Sequence, residues 1–501
     1  MSLDQSKAPY PNHSPPPISF ASRLHDLALW EADALALVMG EVRLTRCELD
    51  DSTTRIARSL RCRGLNSGDL LTIALPNGVA FVQLMIACWK IGVTPQPVSY
   101  RMPLAELRAV VALAQAPFVV SESDLHSGSQ SVSPAELLAE SSDITPLEDC
   151  VSPSWKAPTS GGSTGRPKLI LSGQPSLYTP DFGAVWKMTA ADTVLMPGPL
   201  YHNGPFQAAA YALLHGAPLI VMAKFDAEAV LREIDAHKVT WLYLVPTMMN
   251  RIHQLPDDVR DRYDVSSLKT VWHLAAPCPP WLKRAWIEWL GPDVINELYG
   301  ATEAQAATVI SGSEWLEKPG SVGRVAIGEM QVIDSNGNEC APGSIGEIYM
   351  RQPDGRATYV YRGATCEVRE GGWETVGDMG CIDADGYLFL SDRRTDMILV
   401  GGSNVYPAEV EAAIDEYAGV QSSAVIGLPD NDLGNRIHAI VQANSVLDMK
   451  DMERHLAERL VRYKLPRSFE IVDFQLRDDA GKIRRSQLRT ERLSTFGRKP
   501  G

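Results

Sequence analysis

The stretch "TSGGSTGRPKLILS", Thr159 to Ser172, packs three glycines, four hydroxyl side chains and two cations into its first ten residues, then turns apolar. Glycines let backbone N–H groups converge on one point and let a ligand come close. The Ser and Thr hydroxyls add donors, and Arg166 and Lys168 add positive charge. The fitting ligand is therefore anionic and rich in oxygen, a polyphosphate above all. The spacing is not that of the P-loop, G-x-x-x-x-G-K-[ST], because Pro167 precedes Lys168 and no helix-forming run follows. The apolar "LILS" reads as a strand, which makes the stretch a strand–loop–strand unit. A Gly/Ser surface linker is the competing reading, but linkers rarely run through Pro-Lys straight into a buried-type strand.

Outward from this loop, helical and strand patterns alternate. "SFASRLHDLALWEAD" is helical, "LLTIALPN" is a buried strand, and "GVAFVQLMIACWKIG" is an apolar helix ending in glycine. "RMPLAELRAVVALAQA" and "PFVVSES" repeat helix and strand. Such alternation predicts an α/β architecture with largely parallel sheets in αβαβα layers. From "SVGRVAIGEMQVIDSNGNECAPGSIGEIYMR" onward, short alternating strands and Asx/Gly turns predict an antiparallel, β-barrel-like subdomain. After "DRRTDMILVGG" a smaller βαβ-like unit begins, with helix "AEVEAAIDEY", strands "SSAVIGLP" and "RIHAIVQAN", helix "DMERHLAERLVRY" and strand "FEIVD". The proline-rich residues 1–18 are expected to be disordered, and the last residues, "STFGRKPG", frayed.

Composition bounds the function. A chain of 501 residues exceeds a single core. A net charge of −14, from 47 basic and 61 acidic residues, argues against general nucleic-acid affinity. The eight cysteines are scattered singly, without C-x-x-C or a His cluster, so neither zinc nor a disulfide framework is expected. The N-terminus lacks an apolar signal core, and no run approaches the ~18 apolar residues of a membrane span. A reduced, cytoplasmic, multidomain protein without an integral membrane segment is expected.

Further segments carry chemistry only in combination. "NELYGATEAQ" sets Thr302 and Glu303 after a glycine turn next to Tyr299, a hydroxyl and a carboxylate suited to a phosphate oxygen and its Mg²⁺. A helix N-cap with an acidic first turn would look the same. "WETVGDMGCIDADGYLFLSDRR" offers Asp378 for the hydroxyls of a ribose and Arg393 for the same sugar or its phosphate, although a turn aspartate and a surface arginine would also fit. "DDAGKIRRSQLR" presents Lys482 on a short turn, where a lone lysine is usually solvated.

Taken in order, the Gly/Ser/Thr-Lys loop, Y-G-x-T-E, V-G-D, D-R-x-x-D-x-I…G-G…Y-P-A-E-V-E and G-K-x-x-R resemble the AMP-forming adenylating superfamily, from about residue 20 to 490. Its members include acyl-CoA synthetases, luciferases and peptide-synthetase adenylation domains. The resemblance implies a large N-terminal ATP- and carboxylate-binding domain (19–392), a hinge (393–396) and a small mobile α+β C-terminal domain (397–501). It also implies two half-reactions, with an acyl-adenylate and pyrophosphate formed first and AMP displaced second. Thr159, Ser160, Gly161, Gly162, Ser163, Thr164, Gly165 and Lys168 would hold the β- and γ-phosphates of ATP. Ala276 and Pro277 would lie along the adenine with Tyr299, Gly300 and Ala301 beside it. Thr302 would bind the α-phosphate, Glu303 the Mg²⁺, and Asp378 with Arg393 the ribose. Lys482 would bridge carboxylate and α-phosphate during adenylation. The hinge position, usually Asp or Lys in this family, is Thr395 here.

On the acyl side, "MPGPLYHNGPF" matches the family's gating segment, which makes His202 the gate with Asn203 and Gly204 beside it; a core histidine is the alternative. Leu274, Ala275, Gly300 and Gly402 complete the substrate-side positions, and Leu274 replaces a usual glycine. "TSGGSTGRPKLI", "PGPLYHNGPF" and "GSEWLEKPGSVGR" look similar to the bile-acid and steroid-acid CoA ligase branch, which implies a bulky hydrophobic carboxylic acid. "GGSNVYPAEVE", with Gly401 and Gly402 along a pantetheine path, favours coenzyme A as acceptor. An amide ligase using an amino-acid amine is the alternative. A homodimer is the oligomeric state to test.

Overall fold

The structure is a computed structural model that describes residues 16–122, 131–161, 167–366, 368–393, 396–400, 403–430, 433–443, 446–479 and 481–496. Its largest element is a nine-stranded sheet. The strands Leu35–Met39, Leu219–Val221, Val194–Met196, Trp241–Leu244, Thr270–His273 and Ile295–Gly300 run parallel at its centre, and Val42–Thr45, Ala307–Ser311 and Arg324–Ile327 are antiparallel at its margins. A second, four-stranded parallel sheet orders Thr94–Pro97, Leu70–Ala74, Val119–Ser121 and Ser131–Val132. The predicted α/β architecture is thus present. The central strands are continuous apolar runs because helices cover both of their faces.

Local signals set the helices. Arg46–Cys62 starts at a capping box in which Thr45 and Glu48 each satisfy the other's backbone N–H. The alanine-rich helix Asn203–His215 ends on Gly216, whose φ of 85° lets its N–H reach back to the last carbonyls. Between these helices and the nine-stranded sheet lies an aromatic core. The Trp186 carbonyl accepts hydrogen bonds from both Trp241 Nε1 (2.9 Å) and Trp272 Nε1 (3.0 Å), and Trp89 Nε1 donates to the Trp155 carbonyl (2.8 Å). These indoles are buried without stranding their only donor.

Two smaller sheets frame one end of the parallel strands. Thr159–Gly161, Pro167–Ser172 and Tyr359–Arg362 form an antiparallel sheet of three, so the sequence's strand–loop–strand reading holds at both flanks of the loop. Glu329–Ile333, Gly346–Arg351, Val368–Arg369, Trp373–Ile382 and Leu388–Arg393 form the expected antiparallel subdomain, as a five-stranded sheet. Beyond residue 397 a separate core forms under Val420–Asp430, Gly434–Ala443 and Ser468–Val472 with the helices Pro407–Asp415 and Met449–Ala457. The first pair of strands there is an antiparallel hairpin, and only the third strand is parallel to its neighbour.

Two elements differ from expectation. Ile18, in the tail of residues 1–18 expected to be disordered, is in a strand, Ile18–Ser19 pairing with Leu177–Tyr178, while residues 1–15 of that tail lie outside the described residues; Phe20 inserts among Trp89, Trp155 and Phe182. The helix Arg485–Phe496 follows Lys482, and polar residues hold it in place. Arg485 donates to buried Glu411 (2.8 Å) and to Asp396 (2.9 Å). A charged anchor of this kind leaves little hydrophobic period to read.

Gly323 sits where the nine-stranded sheet meets the antiparallel subdomain, at φ 100°, and a Cβ there would lie 2.0 Å from the Val309 carbonyl oxygen. Gly323→Ala is expected to cost roughly 3 kcal/mol through strain and overlap. Gly343→Ala, also at positive φ but with open space around it, should cost less. Thermal unfolding of the two variants checks this; equal melting temperatures would contradict it.

Candidate functional site

One cleft of about 2550 Å³ runs between the ends of the parallel strands, the two antiparallel sheets and the second domain. Thr302 and Glu303 reach it from a turn between the antiparallel strands Ile295–Gly300 and Ala307–Ser311, not from a helix N-terminus. This removes the helix-cap alternative. Ala304, in the left-handed region at φ 58°, closes the turn.

Glu303 is held in the cleft by two side chains. Its Oε1 accepts hydrogen bonds from Lys168 Nζ (3.1 Å) and the Tyr361 hydroxyl (2.5 Å), and Lys168 also donates to that hydroxyl (2.8 Å). The ammonium lies 4.0 Å from the centre of the Tyr361 ring. Lys168 and Tyr361 come from neighbouring strands of the three-stranded sheet, whereas Glu303 comes from the large one. Burial and Glu303 together push the Tyr361 phenol far above its ordinary value, so it stays a donor. A single carboxylate in an oxygen-lined cleft suits a Mg²⁺ ion, which keeps waters and phosphate oxygens as its other ligands. Among the described residues no cluster of three or more His, Cys, Asp or Glu side chains offers an alternative metal site.

At the edge of the phosphate-type loop, Thr159 Oγ1 is buried without a hydrogen-bond partner among the described residues. Such a group calls for a ligand oxygen. Ser160 and Gly161 continue its strand, while Gly162, Ser163, Thr164 and Gly165 lie outside the described residues, as do Gly401, Gly402 and Thr395.

Across the cleft the Tyr299 hydroxyl donates to Asp378 Oδ2 (2.8 Å), linking the large sheet to the five-stranded one. Asp378 and Arg393 are register partners on adjacent strands, so the backbone sets the two predicted ribose residues side by side. Gly300 and Ala301 follow Tyr299 into the cleft, and Leu274, Ala275, Ala276 and Pro277 line the same stretch. Ala275 stands at φ 74°, a conformation that costs a residue with a Cβ about 1–2 kcal/mol.

Lys482 comes from the second domain. Its turn is closed by Asp478, which accepts from the Lys482 N–H (2.9 Å), and by the Asp478 N–H donating to the Lys482 carbonyl (2.9 Å). The turn docks on the first domain: the Tyr201 hydroxyl donates to Asp479 (2.9 Å), and the Cβ position of Gly481 is 3.3 Å from Thr247 Oγ1 and 3.7 Å from the Ala276 methyl. Lys482 is close enough to His202 to act on its titration. The domains therefore stand with this lysine delivered to the cleft, an orientation the sequence leaves open.

His202 caps the helix Asn203–His215 without a side-chain cap bond, and Asn203 and Gly204 follow it into the cleft. Burial pushes its imidazole down to about 4; Asp478 and Asp479 oppose the shift and Lys482 adds to it. Gly204 is obligatory, because a Cβ there would lie 2.3 Å from the Tyr243 hydroxyl oxygen.

Sequence reasoning overlooks three participants. Tyr361 and the Tyr201–Asp479 contact depend on pairings between distant segments, for which no local signal exists. Lys156 had one: a lysine wedged between Trp155 and Ala157 just ahead of the glycine loop, in a stretch that reads as buried.

Residues 27–360 match the AMP-binding enzyme family, and residues 409–482 match the AMP-binding enzyme C-terminal domain. The chain is 29% identical over 471 residues to a 2-succinylbenzoate–CoA ligase of Bacillus licheniformis, covering 91% of this chain and 96% of that protein. It is 31% identical over 477 residues to a feruloyl-CoA synthase of an Amycolatopsis species, covering 91% and 95%. A solved structure of o-succinylbenzoate CoA synthetase from Bacillus subtilis with its acyl-adenylate intermediate superposes with a TM-score of 0.80 at 25% identity, over 93% of this chain and 97% of that one. The same enzyme with ATP and a magnesium ion gives a TM-score of 0.79 at 25% identity, over 94% and 99%.

The depressed His202 pKa fixes the sign of a pH effect. Above about 6.5 both folded and unfolded chains leave this imidazole neutral; below it only the unfolded chain takes up the proton. Stability should therefore fall as pH drops from 6.5 towards 4. His202→Asn should make that fall shallower in urea unfolding at a series of pH values, and an identical slope would refute the assignment.

Proposed function

The chain belongs to the AMP-binding enzyme family, and on that premise we propose that it activates a carboxylic acid with ATP and passes the acyl group to coenzyme A. The observation that carries the reading is the delivery of Lys482, from the second domain, into a cleft where Thr302, Glu303, Asp378 and Thr159 Oγ1, unpartnered among the described residues, converge.

In the first half-reaction an oxygen of the substrate carboxylate forms a bond to the α-phosphorus of ATP while the bond to the β-phosphate oxygen breaks, and pyrophosphate leaves. Negative charge gathers on the α-phosphate oxygens during this step. Lys482 and the Thr302 hydroxyl are placed to stabilise it, and a preorganised cation in a water-poor site is the largest contribution such a protein can make. Glu303 would hold the Mg²⁺, which neutralises phosphate charge when bound. Lys168 keeps the Glu303 carboxylate aimed into the cleft. Thr159 with the following loop would hold the β- and γ-phosphates. Tyr299 fixes the Asp378 carboxylate by a hydrogen bond, so that Asp378 can accept both ribose hydroxyls. Neutral His202 stands at the acyl side, where an imidazolium would compete with Lys482 for the anion.

In the second half-reaction the thiolate sulfur of coenzyme A attacks the acyl carbonyl carbon, the carbon–oxygen bond to the phosphate breaks, and AMP departs. We assign this step to a turned position of the second domain, with Lys482 withdrawn from the cleft. Residues 393–396 are the hinge we assign to that turn, since they join the two cores. ATP and coenzyme A are cytoplasmic reactants, which supports a cytoplasmic place of action.

Two outcomes are expected. Incubation with ATP, Mg²⁺, coenzyme A and a panel of bulky acids should yield acyl-CoA by mass spectrometry. Amide products formed only when amino acids are supplied would overturn the acceptor. Lys482→Ala should lower acid-dependent pyrophosphate release by roughly 10²–10³-fold while supplied acyl-adenylate still reacts with coenzyme A. Equal loss in both halves would refute the role.

A further inference from the structure

Lys156 is 4% exposed, and its ammonium is one of the few buried cations among the described residues. Its polar contact is the side-chain oxygen of Asn203, and its other neighbour is the Trp155 ring, 4.8 Å away. Among the described residues no carboxylate forms an ion pair with it; Glu303 acts on it only from a distance. Burial pushes its pKa down to about 7, which records how poorly the surroundings compensate the charge. Asn203 is also the first residue of the helix Asn203–His215, whose N-terminus carries a partial positive charge of its own. Two positive features thus meet at one point of the cleft wall; Asp478 and Asp479 face the helix end at its cap, His202, but among the described residues no carboxylate forms an ion pair with Lys156.

From that point a polar line runs along one face of the helix. Asn203 Nδ2 donates to Gln207 Oε1 (3.2 Å), and Gln207 and the Trp186 indole both act on the Tyr211 oxygen. Residues 203, 207 and 211 are spaced by four, so they share a face and span about 12 Å. All three line the cleft with Lys156, against a background of Trp155, Phe182 and Trp186. Each hydrogen bond in the line points from Lys156 towards Tyr211. Donors therefore remain at both ends, the other ammonium hydrogens at one and the Tyr211 O–H at the other. The neighbouring face of the helix is closed, because Tyr243 packs on Gly204.

We propose that the acid substrate carries an oxygen function besides the carboxylate that is activated, either a second carboxylate or a hydroxyl, and that Lys156 recognises it with the Asn203–Gln207–Tyr211 line. The proposal rests on the ligase reading and narrows its substrate class from a hydrophobic acid to one that is apolar in body and polar at a second point. Sites built to hydrogen-bond a substrate group discriminate strongly against analogues that lack it, because their own buried donors are then left unpaired.

The test uses the full chain with ATP, Mg²⁺ and coenzyme A, reading pyrophosphate release. The substrates are benzoic, 3-phenylpropanoic and 3-cyclohexylpropanoic acids, each with and without a 4-carboxy or 4-hydroxy group. In at least one series a substituted acid should exceed its parent in kcat/KM by roughly 10- to 100-fold. Lys156→Met should cut that ratio at least tenfold, mainly through KM, and Lys156→Arg should restore part of it. A preference for the carboxy acid assigns an anionic partner, and a preference for the hydroxy acid a neutral one. Gln207→Leu should cut the same ratio and serves if Lys156→Met does not fold. Parents as good as their derivatives in every series, or a Lys156→Met variant that loses all acids in equal proportion, would overturn the subsite while leaving the ligase reading intact. Absence of pyrophosphate release with every acid would overturn the ligase reading itself.

Discussion

The site depends on the ion pair between Lys168 and Glu303. Glu303 is 5% exposed, and a carboxylate so buried is costly unless it is paired and hydrogen-bonded. Lys168 supplies the charge and Tyr361 the second hydrogen bond, and both stand on the small sheet that flanks the glycine loop. The pair therefore sets the distance between that loop and the turn after Ile295–Gly300. Neither element would fix this alone.

A second pairing does the same across the opposite wall. Tyr299 leaves the large sheet in register with Thr308 and reaches Asp378 on the five-stranded sheet. Three sheets are thereby held at one end of the parallel strands, the usual place for ligands in open α/β folds. The second domain closes the space from above through few contacts. Tyr201 bonds Asp479, and Asn250 and Gln254 donate to the carbonyls of Gln421 and Val420. Polar, sparse contacts suit the turning of the second domain proposed above. Arg485, through Glu411 and Asp396, ties the Lys482 turn to its own domain, so the lysine travels with it.

Much of this was legible in the sequence for a physical reason. Thr159–Lys168, Tyr299–Glu303, Asp378 and Lys482 each belong to a short motif whose glycine, hydroxyl and charge spacing is a local property of the chain. The buried strands Leu70–Ala74 and Val119–Ser121 were legible because full burial demands unbroken apolar runs. Lys156 was legible only as a lysine in a buried-type stretch, because its meaning lies in what is missing around it. A buried cation without a carboxylate cannot be recognised until the neighbours are known. The helix Arg485–Phe496 was missed because charge pairs rather than an apolar stripe hold it, and Ile18–Ser19 because two residues carry no period.

The sequence by itself determined the family and named the residues proposed to meet a nucleotide, since those follow from short motifs and their order along the chain. Tertiary structure alone decided which of these side chains meet. It paired Glu303 with Lys168 across 135 positions of chain, set Tyr299 on Asp378, brought the Lys482 turn against Ala276 and His202, and left Lys156 facing the cleft. Those distances arise from the closure of sheets and the docking of domains, and no window of sequence spans them.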